Sequence, residues 1–135
     1  MTSREGTLNP IRVIGYTCAT NGIAAQEQKD AIVKYCEEGG HELVAIYNDE
    51  SSSDRNQRDA ALALILGCSG KVLVSTHFDV LALSIGDFQN IVNQLEAKGK
   101  AIALLEDGIN EEKPTDAVSK IRLISKYAHL MDKIA

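Results

Sequence analysis

Two side chains near the start of the chain could act as nucleophiles, the Cys18 thiol and the Thr20 hydroxyl, both within GYTCATNGIAAQEQKDAI at residues 15–32. The stretch reads as the end of a β-strand, a short polar loop and the start of a helix, the kind of junction at which α/β proteins place ligands. A thiol or hydroxyl attacks well only when a base or a cation activates it. No His, Lys or Arg neighbours either residue in sequence. Their structural readings are therefore equally concrete: Cys18 as a small buried hydrophobe at a strand end, Thr20 as a loop or N-cap hydroxyl for the helix that follows.

The remaining ligand-type residues do not gather. Cys18, Cys36 and Cys68 are odd in number and widely spaced, which suggests neither a disulfide framework nor a CxxC metal site, and a reducing cytoplasm is the expected home. His41, His77 and His129 form no HxxxH pair, so no metal and no cofactor is expected. Neither GxGxxG nor a P-loop is present, and YTCAT lacks the clustered strand-end acids of a receiver, which argues against a nucleotide-binding or flavodoxin-like module.

At 135 residues and 44% hydrophobic, the chain suits one domain with a real core, and at 4% aromatic with no Trp that core must be aliphatic. The polar opening MTSREGTLNP (residues 1–10) reads as a disordered tail, and no run of 18 apolar residues suggests a membrane span. The formal charge of -5 argues against an extended DNA-binding face. From Lys113 onward, however, five basic residues stand against two acidic ones, so any direct contact with nucleic acid is expected at that end.

Short aliphatic runs at 11–17, 42–48, 71–76 and 100–106 predict four strands, and helical spacing between them predicts helices over 23–38, about 57–67, and 84–98. Such alternation implies an α/β domain with right-handed crossovers and a mostly parallel sheet of four or five strands between helical layers. Ligands in these folds lie beyond the carboxyl ends of the strands, which points to residues 17–22, 48–56 and 76–83. A final helix is expected to begin near Pro114 or Thr115 and run to the end. Its stripe of Ala117, Ile121, Ile124, Ala128 and Met131 is widened by Val118, Leu123, Tyr127, Leu130 and Ile134, so two buried sides are expected, one on the domain and one on a second subunit.

The ordered pieces GYTCAT, QKDAI, YNDESSSDR, HFDVLALS and LEAKGKAIALLEDGI resemble the catalytic domain of the serine recombinases, the resolvase/invertase family, over roughly residues 11–110. The resemblance implies a three-layer α/β/α domain over 11–112, followed at 113–135 by a long dimerisation helix. It also implies a serine that attacks a DNA phosphodiester to form a 5'-phosphoserine link, with arginines neutralising the phosphate. The family's first loop reads Tyr, any residue, Arg, Val, Ser, where this chain has Tyr16, Thr17, Cys18, Ala19 and Thr20. Its later motif reads Asp, Arg, Leu, Gly, Arg, where this chain has Asp79, Val80, Leu81, Ala82 and Leu83. Matching positions are kept at Gln28, Arg55, Asp79 and the DGI of residues 107–109.

Phosphoryl transfer depends on positioning and on cations that meet charge on the phosphate oxygens. One lost donor commonly costs about 3 to 4 kcal/mol, so three lost guanidiniums remove on the order of 10 kcal/mol, some seven decades in rate. Such effects are not strictly additive. The expectation is a fold that persists without strand cleavage: a recombinase-like module that oligomerises as a dimer or tetramer and reaches DNA weakly, through a partner, or through a C-terminal helix-turn-helix domain of the kind the family carries. An active enzyme with Thr20 as nucleophile is the alternative. Structural readings stand beside the functional ones: Gln28 caps or braces the first helix, Arg55 meets an anion or pairs with Asp54 or Asp59, Asp79 caps the helix near residue 80, and Ser51 to Ser53 form a solvated loop.

Overall fold

The structure, a computed structural model, describes residues 11–19, 24–51, 55–114 and 116–123, with the side chains of 68, 69, 111 and 112 outside that description. Thr20 and the last twelve positions of the expected terminal helix therefore lie outside the described residues.

Strand β1 (Arg12–Cys18) leads through α1 (Ala25–Gly39) to β2 (Glu42–Asp49), and through α2 (Asn56–Leu64) to β3 (Val72–Ser75). The chain continues through a single turn, α3 (Phe78–Leu81), and α4 (Ile85–Ala97) to β4 (Ala101–Leu104) and β5 (Ile109–Glu112). A final helix, α5, is described over 116–123, opening with the Asp116 and Ala117 N–H groups on the Lys113 carbonyl. The sheet order is β2-β1-β3-β4-β5, parallel except for the antiparallel β4–β5 edge.

Alternation along the strands divides the core. Ile14, Tyr16, Cys18, Leu73, Ile102 and Leu104 point to one face, where α2, α4 and α5 supply Leu62, Phe88, Ile91, Leu95, Ala117 and Ile121. Val13, Val72, Val74 and Ala103 point to the other, under Ile32 and Cys36 of α1. The result is the expected three-layer sandwich. Gly15 sits where α1 presses on the sheet: a Cβ there would lie 3.2 Å from both the Ile32 and the Ile46 side chains. Gly40, in the left-handed region at φ 69°, ends α1 and returns its N–H to the Cys36 and Glu37 carbonyls.

The expected helix over 57–67 is in fact α2 followed by a π turn, Ile65–Ser69, that delivers the chain to β3. Two further elements are absent from the periodicity reading, the single turn α3 and the short polar β5. No described helix is long and apolar enough to cross a membrane.

Candidate functional site

The carboxyl ends of β1, β2 and β3 meet α2 and α3 around a buried polar cluster. Tyr16 projects from β1 with no exposed surface, and its hydroxyl donates to Asp49 Oδ2 at 2.8 Å. Asp49, the last residue of β2, also accepts the Gln57 and Arg58 N–H groups at 3.0 and 3.1 Å. Those are orphan donors of the first turn of α2, so the protein's own carboxylate occupies the positive end of that helix. Burial first, and then the hydrogen bond to Asp49, push the Tyr16 phenol far above its ordinary value.

Arg55, immediately before α2, is buried, and Asp54, one of its two expected ion-pair partners, lies outside the described residues. Its Nη1 donates to the Tyr16 hydroxyl at 3.4 Å and to the Val80 carbonyl. One turn along α2, Arg58 Nη1 donates to the Leu81 carbonyl at 3.2 Å and to Asp87 Oδ2 at 2.6 Å. Both guanidiniums thus serve the open carbonyl end of α3. Asp87 also accepts the Leu83 N–H at 2.8 Å, while its own N–H goes to the Ser84 hydroxyl at 3.0 Å, which pins the segment joining α3 to α4. Arg58 Nε is buried without a partner.

Gln28 of α1 is buried and bonds both backbone groups of Cys18: its Oε1 accepts the Cys18 N–H at 2.9 Å and its Nε2 donates to the Cys18 carbonyl at 2.7 Å. These two bonds tie the strand end to the helix. The Cys18 thiol is itself fully buried.

Asp79 does not cap the helix that starts beside it. His77 holds the N-cap position, Asp79 is exposed in the first turn, and the Phe78 N–H instead donates to Asp107 Oδ2 at 2.7 Å. Capping passes to Asp107 because Gly108, at φ 73°, turns the β4–β5 connection back toward α3 while Ile109 enters the core. Burial raises the Asp107 carboxyl, partly opposed by the Phe78 hydrogen bond and by nearby His77.

Of the expected site residues, the structure therefore joins Arg55 to the Tyr16–Asp49 pair and Gln28 to Cys18, and leaves Asp79 outside both. Tyr16, which the sequence matched to the family's first loop without giving it a role, and Asp49 and Arg58, which it passed over, belong to the polar cluster. Of the three positions where the resemblance expects arginine, Cys18 and Val80 are sealed in the core, and Leu83 is 61% exposed. A cleft of about 320 Å³ opens beside α1, lined by Glu27, Gln28, Ala31, Thr76, His77 and Glu106. A second, of about 350 Å³, is lined by Asn48, Asp49, Glu50, Ser51, Asn56 and Gln57. Among the described residues, neither is lined by a lysine or an arginine, and no group of side chains is suited to a metal ion.

Among solved structures, the chain is similar to a resolvase family site-specific recombinase from Streptococcus pneumoniae, with TM-score 0.70 and 18% identity over 92% of this chain and 93% of that one. It is similar also to the N-terminal catalytic domain of TP901-1 integrase, with TM-score 0.67 and 16% identity over 89% and 98%. A third similar structure is the C-terminal catalytic domain of ISC1926 TnpA, an IS607-like serine recombinase, with TM-score 0.63 and 23% identity over 92% and 86%. No curated protein matches the sequence. The family described as Resolvase, N terminal domain matches residues 16–134, nearly the whole chain. With that match and the layered fold together, this chain belongs to the resolvase family of serine recombinases, represented by its N-terminal domain.

Proposed function

We propose that this domain takes part in site-specific DNA recombination without cutting DNA, as an oligomerising or regulatory member of the recombination machinery. One observation carries the reading: of the positions where the family pattern has arginine, two are packed into the core as Cys18 and Val80, and the third is the exposed apolar Leu83. The Arg55 and Arg58 guanidiniums hold the Val80 and Leu81 carbonyls. A phosphate at the strand ends would meet Glu27, Glu106 and Asp79 instead of a cationic cradle.

The similar solved proteins include a site-specific recombinase and an integrase catalytic domain, which supports DNA recombination as the setting. Residues 113–135 are assigned to oligomerisation, and Leu123, 68% exposed on α5, is an apolar group left for a second subunit to cover. Gln28 and Arg55 keep family positions as buried hydrogen-bonding partners, and Asp79 keeps its position exposed in the first turn of α3.

The test is incubation with supercoiled plasmid, followed by gel analysis and mass spectrometry of the protein. The expected outcome is no nicked or linear product, no DNA-linked peptide, and a dimer or tetramer by light scattering. A phosphothreonine link at Thr20 would overturn the proposal and establish an active enzyme with a divergent nucleophile.

A further inference from the structure

The opposite end of the sheet carries a row of basic residues. Sheet order β1-β3-β4-β5 places Arg12 at the start of β1, Lys71 just before β3, Lys100 just before β4 and Lys113 just after antiparallel β5, so four successive strands each present a basic residue at the same edge. Their backbones are tied in line: the Lys71 N–H donates to the Arg12 carbonyl at 2.8 Å and the Ala101 N–H to the Lys71 carbonyl at 2.9 Å. Arg12 is partnered by Glu42 at 3.8 Å. Lys71, Lys100 and Lys113 have no carboxylate partner among the described residues.

Two of these lysines hold each other's strand starts. Lys100 Nζ donates to the Gly70 carbonyl at 2.7 Å and Lys71 Nζ to the Gly99 carbonyl at 3.4 Å, each ammonium resting on the residue that precedes the other lysine. This reciprocal pair limits the wandering of two long side chains. Each ammonium has three donors, so one bond to a carbonyl leaves others for an incoming ligand. With Lys113, Glu96 and Pro114 they line an open notch of about 280 Å³.

We infer that this edge binds the phosphate backbone of duplex DNA, through Lys71, Lys100 and Lys113. The arrangement is linear: neighbouring strands lie about 4.8 Å apart, so the three lysines form a row spanning about 10 Å of backbone. A DNA strand carries a phosphate every 3.4 Å or so of helix axis, and a row of that length matches two or three of them. An anionic membrane offers a plane of charge, which a single row at a sheet edge engages poorly. The acids at the far end, Glu27, Glu106 and Asp79, repel a polyanion there and so favour its approach at the lysine edge. No recombination site is needed, since phosphate contacts carry no sequence information. The inference rests on the DNA setting proposed above, and it places contact on the face away from the family's reactive loop.

The experiment is fluorescence anisotropy with the full chain and a labelled linear duplex of arbitrary sequence, titrated between 50 and 200 mM KCl. Three phosphate contacts predict a log–log salt slope of about -2.7, or a roughly 40-fold weakening across that range. Lys71→Gln with Lys113→Gln, which spares the Lys100 bond to Gly70, should weaken binding at least tenfold at low salt and flatten the slope by about 2. Lys120→Gln with Lys126→Gln and Lys133→Gln should leave binding unchanged. Glu96→Gln, which removes the one acid lining the notch among the described residues, should tighten it about threefold, the scale of a surface charge interaction.

Four results would overturn the inference: no binding by the unaltered protein, equal binding by the Lys71/Lys113 variant, loss confined to the Lys120/Lys126/Lys133 variant, or binding to phosphatidylserine vesicles but not to duplex. Because the duplex is uncut and arbitrary, the outcome is independent of plasmid nicking. A domain that nicks DNA yet binds through the notch would refute only the inactive reading, and a silent domain without notch binding would refute only this one.

Discussion

The Gln28 side-chain amide satisfies both backbone groups of a single residue, Cys18, across the gap between α1 and the end of β1. Gln28→Ala would leave a buried N–H and a buried carbonyl without these partners, each worth about 1 to 3 kcal/mol, so a loss of about 2 to 6 kcal/mol is expected in urea unfolding. Gln28→Glu keeps an acceptor for the N–H but sets a carboxylate against the Cys18 carbonyl. Its deficit should shrink as pH falls and the new carboxyl protonates.

Tyr16 should behave as a buried phenol. With its ionisation pushed upward by burial and by Asp49, it stays protonated in the native state while the unfolded chain ionises near pH 10. Its stabilising contribution is therefore complete below about pH 10 and is lost as pH rises beyond that. Ultraviolet titration of the native protein should show one of the four tyrosines ionising only on unfolding. Tyr16→Phe should abolish that delayed step and cost about 1.5 to 3 kcal/mol, the range for a hydrogen bond to a charged group.

Restoring arginine tests how deeply the cationic positions have been remade. At Leu83, exposed on a pinned segment, Leu83→Arg should change stability by no more than about 0.5 kcal/mol. At Val80 no exposed surface remains, and Val80→Arg should cost about 4 kcal/mol or more through an unpaired buried charge. Equal and small losses at both positions in chemical denaturation would show that the core accepts a guanidinium.

Asp107 connects pH to the DGI turn. Its carboxyl is raised, first by burial, so the native state favours the protonated form; stability from this group is fully present below about pH 3.9 and declines as pH climbs through the raised native value. Asp107→Asn retains an oxygen for the Phe78 N–H and removes this penalty, so the variant should gain on the parent between pH 4 and 7. Asp107→Ala, which loses the cap, should fall below the parent by about 1 kcal/mol at low pH.

The α/β alternation was legible because β1 to β4 and α1, α2 and α4 each carry their own periodicity. The polar β5 was not, since INEE has a strand's geometry only through its pairing with β4. The π turn after α2 was equally hidden, as nothing in ILGCS distinguishes it from more α-helix. At the site, Gln28 and Arg55 came into view through the family resemblance. Asp49 did not, because its capping of α2 acts from eight and nine residues before the N–H groups it accepts. The same distance effect moved the cap of α3 from Asp79, its local candidate, to Asp107, 29 positions beyond Phe78.

Strand order also sets a schedule for the growing polypeptide. β1, first to be synthesised, lies between β2 and β3, so Val13 finds Leu43 early and must wait for Val72 on its other side. Until β3 has emerged, one hydrogen-bonding flank of β1 stands open, and the sheet enlarges outward from it in both directions. Such distant parallel pairing folds slowly and exposes aggregation-prone edges meanwhile. That exposure is greatest in the interval between the emergence of β2 and that of β3.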